Sequence, residues 1–274
     1  MWQSRLRQVF LKFCRERLKE RLKIERVQEK PMTEHNETIA EQTSRSEAFR
    51  YLGYRGAAPD EVSEALMEDC IRELCTKLSP RFFARTYPLQ MTEEGELIFS
   101  CFRVKSRDLK KNLEGCHSVI LFGATLGAGV DFLLRRYAVL DMSRAAVMQA
   151  ASAAMIEAYC NLENCRLEKE YREKRQILCP RFSPGYGDFP LAFQEKFALA
   201  LELEKTVGIT LTEGFLMMPS KSVTAVIGVK EEAACSGERA VKAADSKCRT
   251  CSKTDCLYRE PWQAEKYCKE EILR

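Results

Sequence analysis

The sequence predicts an α+β fold, because its strand-like segments are grouped instead of alternating with helices. An early hairpin is indicated on either side of a polar turn at residues 92–95, and two further strands are indicated at 209–217 and 222–229. Between these groups, a stretch from about 130 to 174 has helical character. This order lacks the regular strand–helix alternation of a doubly wound parallel sheet. We therefore expect an α+β arrangement.

The elements of the first half follow from apolar spacing and from residues that begin or end helices. Asp60 is a predicted N-cap, and the helix after it repeats apolar residues every four positions up to Leu78. Ser106 is the predicted N-cap of a short helix that stops at Gly115, since Gly readily adopts the conformation that ends a helix. The predicted strands of this half are Arg81–Tyr87, Glu96–Phe102 and Ser118–Phe122.

The second half begins with long helices. One is predicted over Val130–Leu140, and Asp141 is the predicted N-cap of another that runs to about Lys174. The segment Cys179–Pro190 contains three Pro and two Gly, which predicts an irregular loop. The last predicted helix ends at Gly208, and its apolar stripe consists of Phe193, Phe197 and Leu201.

Positive charge is concentrated at the start of the chain. The 274 residues include 44 Lys and Arg against 40 Asp and Glu. Residues 1–30 hold ten Lys and Arg and four Glu, which leaves a net charge of −2 for residues 31–274. A nearly neutral charge over residues 31–274 gives little support to nucleic-acid binding. The two isolated His residues give equally little support to His-based catalysis or a His-rich metal site.

The N-terminal 45 residues are predicted to be an extension. Residues 1–30 have the pattern of a basic amphipathic helix. Such a helix is either an arm that binds a membrane surface or a partner, or a solvated extension. Residues 31–46 have the pattern of a polar linker. No run approaches the roughly 20 apolar residues needed to span a membrane, and no secretory apolar region is visible. We expect a cytoplasmic protein in which the thirteen cysteines stay reduced.

The glycine-containing segment Gly123–Gly129 invites comparison with phosphate-binding loops, whose backbone N–H groups face anions. No Gly-Lys-Ser/Thr follows it, and the third Gly of a dinucleotide-binding fingerprint is replaced by Phe132. A tight strand-to-helix turn is therefore the better interpretation.

The segment Arg181-Phe-Ser-Pro-Gly185-Tyr186 is a candidate ligand site within the irregular loop. A guanidinium in a rigid loop can bind a carboxylate through two hydrogen bonds. Gly185 allows close backbone approach, and Tyr186 offers a flat face and a hydroxyl. These groups suit a small ligand that carries a carboxylate and an aromatic ring. A structural loop with a surface Arg fits the same residues equally well.

The same residues resemble the activation domain of cobalamin (vitamin B12)-dependent methionine synthase, in a free-standing bacterial form. The resemblance covers about residues 46–230, and its core is the Arg181–Tyr186 motif with a second motif at the expected distance. The matching segments are Arg181-x-x-x-Gly185-Tyr186, Leu211-Thr212-Glu213, Met217-Met218-Pro219, Ser222-Val223, Phe49–Gly56 and Thr125-Leu126-Gly127.

The resemblance implies a curved antiparallel sheet flanked by helices that binds S-adenosylmethionine. In that family, an electron and the methyl group of S-adenosylmethionine restore methylcobalamin after the cobalamin has been oxidised to Co(II). Arg181 would then pair with the methionyl carboxylate, and the backbone of Ser183 and Gly185, with Tyr186, would frame the adenosyl group. Glu157, and more weakly Glu173, would lie near the positive end of the ligand.

Two departures from the family pattern qualify this comparison. The family's longer excursion after Ser222-Val223, which ends in paired tyrosines, is replaced by Thr224–Val229, which continues as a strand. Cobalamin-, homocysteine- and folate-binding domains are also missing from this sequence. The chain would therefore act on the cobalamin of a separate methionine synthase and would need an electron donor.

The C-terminal segment, residues 231–274, contains a second cluster of chemically useful residues. Cys235, Cys248, Cys251 and Cys256 could hold one metal ion or an iron–sulfur cluster, because two thiolates two residues apart can chelate a metal. Zinc, iron–sulfur and uncomplexed thiols all fit this spacing. Two alternative functions follow: an iron–sulfur reductive activator of another corrinoid methyltransferase, or a non-catalytic module that docks a partner.

Overall fold

The computed structural model describes residues 32–54 and 58–232. Among these, residues 36–54 and 58–232 belong to one compact unit, and residues 32–35 are assigned to another. The predicted amphipathic helix of residues 1–30 and the cysteines from Cys235 onward lie outside the described residues. None of the described helices combines the length and the apolar composition that crossing a membrane requires.

A six-stranded, fully antiparallel sheet forms the centre of the fold, which confirms the α+β prediction. The strand order is β3-β2-β1-β4-β8-β5, and β6 and β7 form a separate two-stranded hairpin. The strands are β1 Arg81–Met91, β2 Leu97–Phe99, β3 Phe102–Val104, β4 Ser118–Thr125, β5 Gln176–Leu178, β6 Thr210–Leu211, β7 Met217–Met218 and β8 Ser222–Glu231.

Eight α-helices accompany the sheet in the described residues. They are α1 Met32–Gln42, α2 Arg45–Tyr51, α3 Glu61–Cys75, α4 Arg107–Asn112, α5 Ala128–Leu140, α6 Met142–Glu173, α7 Gln194–Leu201 and α8 Leu203–Thr206. A 3₁₀ turn, Leu191–Phe193, leads into α7.

The two faces of the sheet are covered by different helices. On one face, Phe122 of β4 and Ile227 of β8 join the buried core with Met155 of α6. On the other face, Thr224 of β8 donates a 2.6 Å hydrogen bond to Gln194 of α7. Burial of a large apolar side chain contributes roughly 1.5–3 kcal/mol, so the α6 face supplies much of the stability of the fold.

The three predicted N-caps are confirmed by their hydrogen bonds. The Asp60 carboxylate accepts from the N–H of Ser63 at 2.8 Å, at the start of α3. Ser106 Oγ accepts from the backbone of α4 at 3.0 Å, and Asp141 accepts from the N–H of Arg144 at 3.0 Å, at the start of α6. Short polar side chains satisfy N–H groups that a helix leaves unpaired in its first turn.

Residues 32–42 form a helix where the sequence predicts a polar linker. Ile39 of α1 is fully buried, and the Asn36 amide donates 3.2 Å hydrogen bonds to the carbonyl oxygens of Cys75 and Leu78, at the end of α3. These contacts are tertiary, and a single buried Ile produces no helical periodicity. The linker interpretation is therefore wrong for the local structure of this segment.

The strand predicted over 209–217 is also wrong in its extent. Only Thr210–Leu211 and Met217–Met218 pair with each other, and the chain reverses between them with Phe215 at φ 62°. Similarly, the predicted strand Glu96–Phe102 is two strands, β2 and β3, which pair with each other as a hairpin. In contrast, β8 runs without interruption through Thr224–Val229, as predicted.

The turn between β4 and α5 makes close contacts with Ser79 and Lys77. Gly127 has φ 87°, and a Cβ there would collide with Ser79 Oγ. A Cβ at Gly129 would likewise collide with the carbonyl oxygen of Lys77. The Ser79 N–H donates to the carbonyl oxygen of Leu126 at 3.0 Å, so this turn packs on the connection between α3 and β1.

We expect Gly127→Ala to destabilise the protein by about 1–3 kcal/mol, because the new Cβ combines left-handed strain with a clash. Urea unfolding followed by circular dichroism would measure the loss. Gly214→Ala is the matched control, since Gly214 has no positive φ and its nearest contact would be Thr212 Oγ1 at 4.0 Å. Equal urea midpoints of unfolding for the two variants would contradict the packing role of the turn.

Candidate functional site

The predicted irregular loop, Cys179–Pro190, begins as an extension of the sheet edge. The Cys179 N–H donates to Gly228 O at 2.8 Å. The Phe182 N–H donates to Val226 O at 2.9 Å, and the Val226 N–H donates back to Phe182 O at 2.8 Å. Phe182 and Val226 thus form an antiparallel pair, and the adjacent side chains of Arg181 and Phe182 point to opposite faces, as in a strand. This alternation places Arg181 on the α6 side and Phe182 among the aromatic rings next to α7.

Arg181 pairs with two residues of α6. Its Nη2 donates to Glu157 Oε2 at 3.1 Å and to Asn161 Oδ1 at 2.8 Å. The side chain of Arg181 is 22% exposed and that of Glu157 is 37% exposed, so the pair lies at the surface without being fully solvated. The two residues that the sequence singled out separately are therefore in direct contact.

The turn after Arg181 positions Tyr186. The Tyr186 N–H donates to Ser183 O at 3.2 Å, and the Gly185 N–H donates to Phe189 O at 2.8 Å. Gly185 has φ 97°, a conformation that favours glycine. Ser183 and Gly185 thus hold the turn through their own backbone, and the Tyr186 ring remains 59% exposed beside it.

Electrostatic interactions link these residues to α2. Burial raises the pKa of Tyr186, the negative charge of Glu157 raises it further, and Arg181 opposes the rise. Burial also raises the pKa of Tyr51, with contributions from Glu47, which accepts a 2.8 Å hydrogen bond from the Tyr51 hydroxyl, and from Glu157. We call Tyr51, Glu157, Asn161, Arg181 and Tyr186 the Arg181 cluster.

Glu173 is placed outside this cluster. It is the exposed last residue of α6, 16 positions after Glu157, which corresponds to about 24 Å along the helix axis. Asn161, in contrast, belongs to the cluster but was missed from the sequence. It lies one helical turn after Glu157, so the i, i+4 spacing was the available signal.

Asp188 anchors the far end of the loop. Its carboxylate accepts hydrogen bonds from Ser106 Oγ at 2.5 Å and from the N–H groups of Arg107 at 2.8 Å and Asp108 at 3.2 Å. These interactions, that with Ser106 first, hold the pKa of Asp188 below its ordinary value of 3.8. Together with the sheet hydrogen bonds at Cys179 and beyond, they fix the loop at both ends.

We expect Asp188→Ala to lower the urea midpoint of unfolding at neutral pH. A carboxylate with a lowered folded-state pKa stabilises the fold above the unfolded pKa, and this contribution disappears as the pH falls through the folded value. The difference between the wild type and the variant should therefore shrink as the pH falls below 3.8. Glu213→Gln, at an exposed carboxylate of the β6–β7 turn, is the control, and matching pH profiles would refute the anchor.

One cavity and two polar contacts elsewhere in the described residues do not involve the Arg181 cluster. A shallow cavity of about 340 Å³ lies between α5, α6 and β7 and is lined mostly by apolar atoms, without any residue of the Arg181 cluster. The Asp131 carboxylate at its wall accepts hydrogen bonds from Ser220. Ser222, which matches a family position, lies 2.8 Å from Thr125 Oγ1 inside the sheet and serves the sheet there.

The metal ligands predicted from the sequence, Cys235, Cys248, Cys251 and Cys256, remain a prediction, because they lie outside the described residues. In the part of the chain that the structure does describe, no group of three or more His, Cys, Asp or Glu could hold a metal ion.

The fold and the site define a class of α+β domain with an antiparallel sheet, helices on both faces and an Arg–Glu pair beside a Gly-Tyr turn at the sheet edge. A solved structure of the MetH reactivation domain bound to AdoHcy shares this fold, with a TM-score of 0.55 and 20% sequence identity. The similarity covers 70% of this chain and 75% of that chain. It confirms an activation-domain-like fold, as the sequence motifs predicted.

Comparison of the sequence alone gives no further relatives. No protein-family model matches the chain, and no curated protein matches it.

Proposed function

We propose that this chain binds S-adenosylmethionine at the Arg181 cluster and supports reductive remethylation of the cobalamin of a separate methionine synthase. The observation that carries the proposal is the contact between Arg181 and Glu157 at the edge of an activation-domain-like sheet. The solved structure with the same fold is described as bound to AdoHcy, a ligand that differs from S-adenosylmethionine by one methyl group.

The donor set of the cluster fits the amino-acid end of such a ligand. That end carries an α-carboxylate and an α-ammonium group, and the guanidinium of Arg181 and the carboxylate of Glu157 are their charge complements. A partly exposed ion pair contributes only about 0–1 kcal/mol to stability. Arg181 and Glu157 can therefore give up their mutual contact and bind ligand groups instead at little cost. Asn161 keeps Arg181 attached to α6 during this exchange.

The exposed ring of Tyr186 fits the aromatic end of the ligand. A flat side chain that is 59% exposed and positioned by a hydrogen-bonded turn can stack on a planar heterocycle. The backbone of Ser183 and Gly185 borders the same place. Their roles in framing the adenosyl group, like those of Arg181 and Glu157, are part of this proposal.

Within this proposal the protein contributes positioning. S-adenosylmethionine, when bound, supplies the methyl group. Arg181 and Glu157 would orient the ligand from its amino-acid end, and the loop, held at Cys179 and Asp188, would keep that orientation fixed. The cobalamin is carried by the partner methionine synthase, and an electron donor supplies the reducing equivalent.

Two measurements test the two parts of the proposal separately. Titration calorimetry with S-adenosylhomocysteine should show saturable binding to the purified full chain. Addition of the chain, a reductant and S-adenosylmethionine to a methionine synthase in its oxidised Co(II) state should restore methylcobalamin. No binding by a folded protein would overturn the ligand assignment and favour a docking module. Binding without any regain of methylcobalamin would overturn the reactivation role alone.

A further inference from the structure

Two cysteines that are distant in sequence meet at the start of the loop Cys179–Pro190, which we call the site loop. Cys116 and Cys179 are 63 residues apart, and their Sγ atoms lie 3.5 Å from each other. Cys116 lies two residues before β4 and Cys179 immediately follows β5, so the two thiols lie on either side of β8. No spacing pattern in the sequence could reveal this pair.

Gly228 of β8 makes room for the two sulfur atoms. A Cβ at this position would lie 2.5 Å from Cys116 Sγ and 3.3 Å from Cys179 Cβ. The backbone on both sides is fixed, because the Cys179 N–H donates to Gly228 O at 2.8 Å and the His117 N–H donates to Val229 O at 3.1 Å. The sheet therefore holds the two thiols in contact.

The electrostatic surroundings favour a thiolate at one member of the pair. The hydrogen bond with Cys116 and the positive charge of Lys230 lower the pKa of Cys179 to about 7, against the opposing effect of burial. A thiolate is the reactive form of cysteine towards oxidants. Cys179 is only 8% exposed, whereas Cys116 is half-buried, so a small oxidant suits the site better than a bulky one.

We propose that Cys116 and Cys179 are a redox modification site, which a small hydroperoxide such as hydrogen peroxide converts to a disulfide. The Cys179 thiolate attacks one peroxide oxygen, the O–O bond breaks, and protonation gives a sulfenic acid and water. The Cys116 sulfur then attacks Cys179 Sγ and displaces the hydroxyl group as a second water. Two thiols lose two electrons and two protons, and one peroxide is reduced to two waters.

The closing step requires little movement. A disulfide has an S–S distance of about 2.05 Å, so the sulfur atoms need to approach by about 1.5 Å from their present separation. The new bond would attach the first residue of the loop covalently to Cys116, two residues before β4. Because Arg181 lies only two positions further, the redox state of this pair would act on the anchor of the loop. The modification itself does not depend on the proposed function.

Peptide mapping of the full chain tests the proposal. The reduced protein is treated with hydrogen peroxide, alkylated and digested, and we expect a linked peptide that contains Cys116 and Cys179 and disappears with dithiothreitol. The melting temperature should rise by about 5 °C or more, since the bond closes a long loop in the unfolded chain. Dithiothreitol should reverse that rise.

Two variants complete the test. Cys116→Ser should abolish the linked peptide and leave a Cys179 sulfenic acid that dimedone traps. Cys75→Ser, at another half-buried thiol, should leave the linked peptide unchanged. Separate alkylation of Cys116 and Cys179 in the peroxide-treated wild type would overturn the proposal. So would a Cys179 that links to several other cysteines as readily as to Cys116.

Discussion

Arg181→Ala is expected to weaken the binding of S-adenosylhomocysteine by roughly 10- to 100-fold, since a hydrogen bond to a charged group is worth about 1.5–3 kcal/mol. The fold should be little affected, because the ion pair with Glu157 is partly exposed and such pairs contribute about 0–1 kcal/mol. Titration calorimetry measures the affinity, and urea unfolding of the same preparation measures the stability.

Two further variants show whether the effect is specific to the site. Arg181→Lys should be intermediate, because lysine keeps the charge but loses the planar guanidinium that binds a carboxylate through two hydrogen bonds. Arg72→Ala removes a guanidinium of α3 that is 75% exposed and pairs only weakly with Asp69, at 3.4 Å. The Arg72→Ala protein should therefore bind S-adenosylhomocysteine as tightly as the wild type. An Arg181→Ala protein with unchanged affinity would remove Arg181 from the site.

Phe189→Ala is expected to cost about 3–5 kcal/mol of stability, the usual range for removal of a buried Phe ring. Phe189 is fully buried and its ring centroid lies 5.3 Å from that of Phe193, 6.4 Å from that of Phe182 and 6.4 Å from that of Phe197. These rings join the site loop to α7, so the variant removes contacts on both sides. Chemical unfolding at neutral pH measures the loss.

A matched pair of substitutions distinguishes packing from a general effect of alanine. Leu199→Ala, on the exposed side of α7, removes a side chain that is 74% exposed and should change stability by less than about 0.5 kcal/mol. Phe189→Leu should recover part of the loss, because it refills some of the volume. Similar stabilities for Phe189→Ala and Leu199→Ala would show that the packing of the Phe189 ring does not support the loop.

Local signals predicted most of the fold. Asp60, Ser106 and Asp141 could be recognised because an N-cap acts on its own helix, within three residues. The linker prediction missed the helix over residues 32–42 for a different reason. The helix there is held by hydrogen bonds from the Asn36 amide to the carbonyl oxygens of Cys75 and Leu78. These partners lie 39 and 42 residues later in the chain, so no local pattern records them.

The site was only partly predictable for the same reason. Arg181 and Tyr186 stood out because Pro and Gly mark the loop, and Glu157 was suggested by resemblance. Their contact depends on β8, which pairs with Phe182 and so turns Arg181 toward α6. The resemblance suggested Glu173 more weakly, and the length of α6 places it far from the cluster. Asp188 was missed because its partners lie about 80 residues earlier in the chain.

The double attachment of the site loop has a consequence for the entropy of binding. The loop is held by β8 at Cys179 and Phe182 and by α4 at Asp188, which leaves only a short turn between the two anchors. Ordering the backbone of one residue costs about 1–2 kcal/mol of conformational entropy. In this loop the backbone is ordered when the protein folds and not when a ligand binds. If the proposed ligand binds at Arg181, the backbone of the loop is already ordered, and most of the interaction energy would be available as affinity.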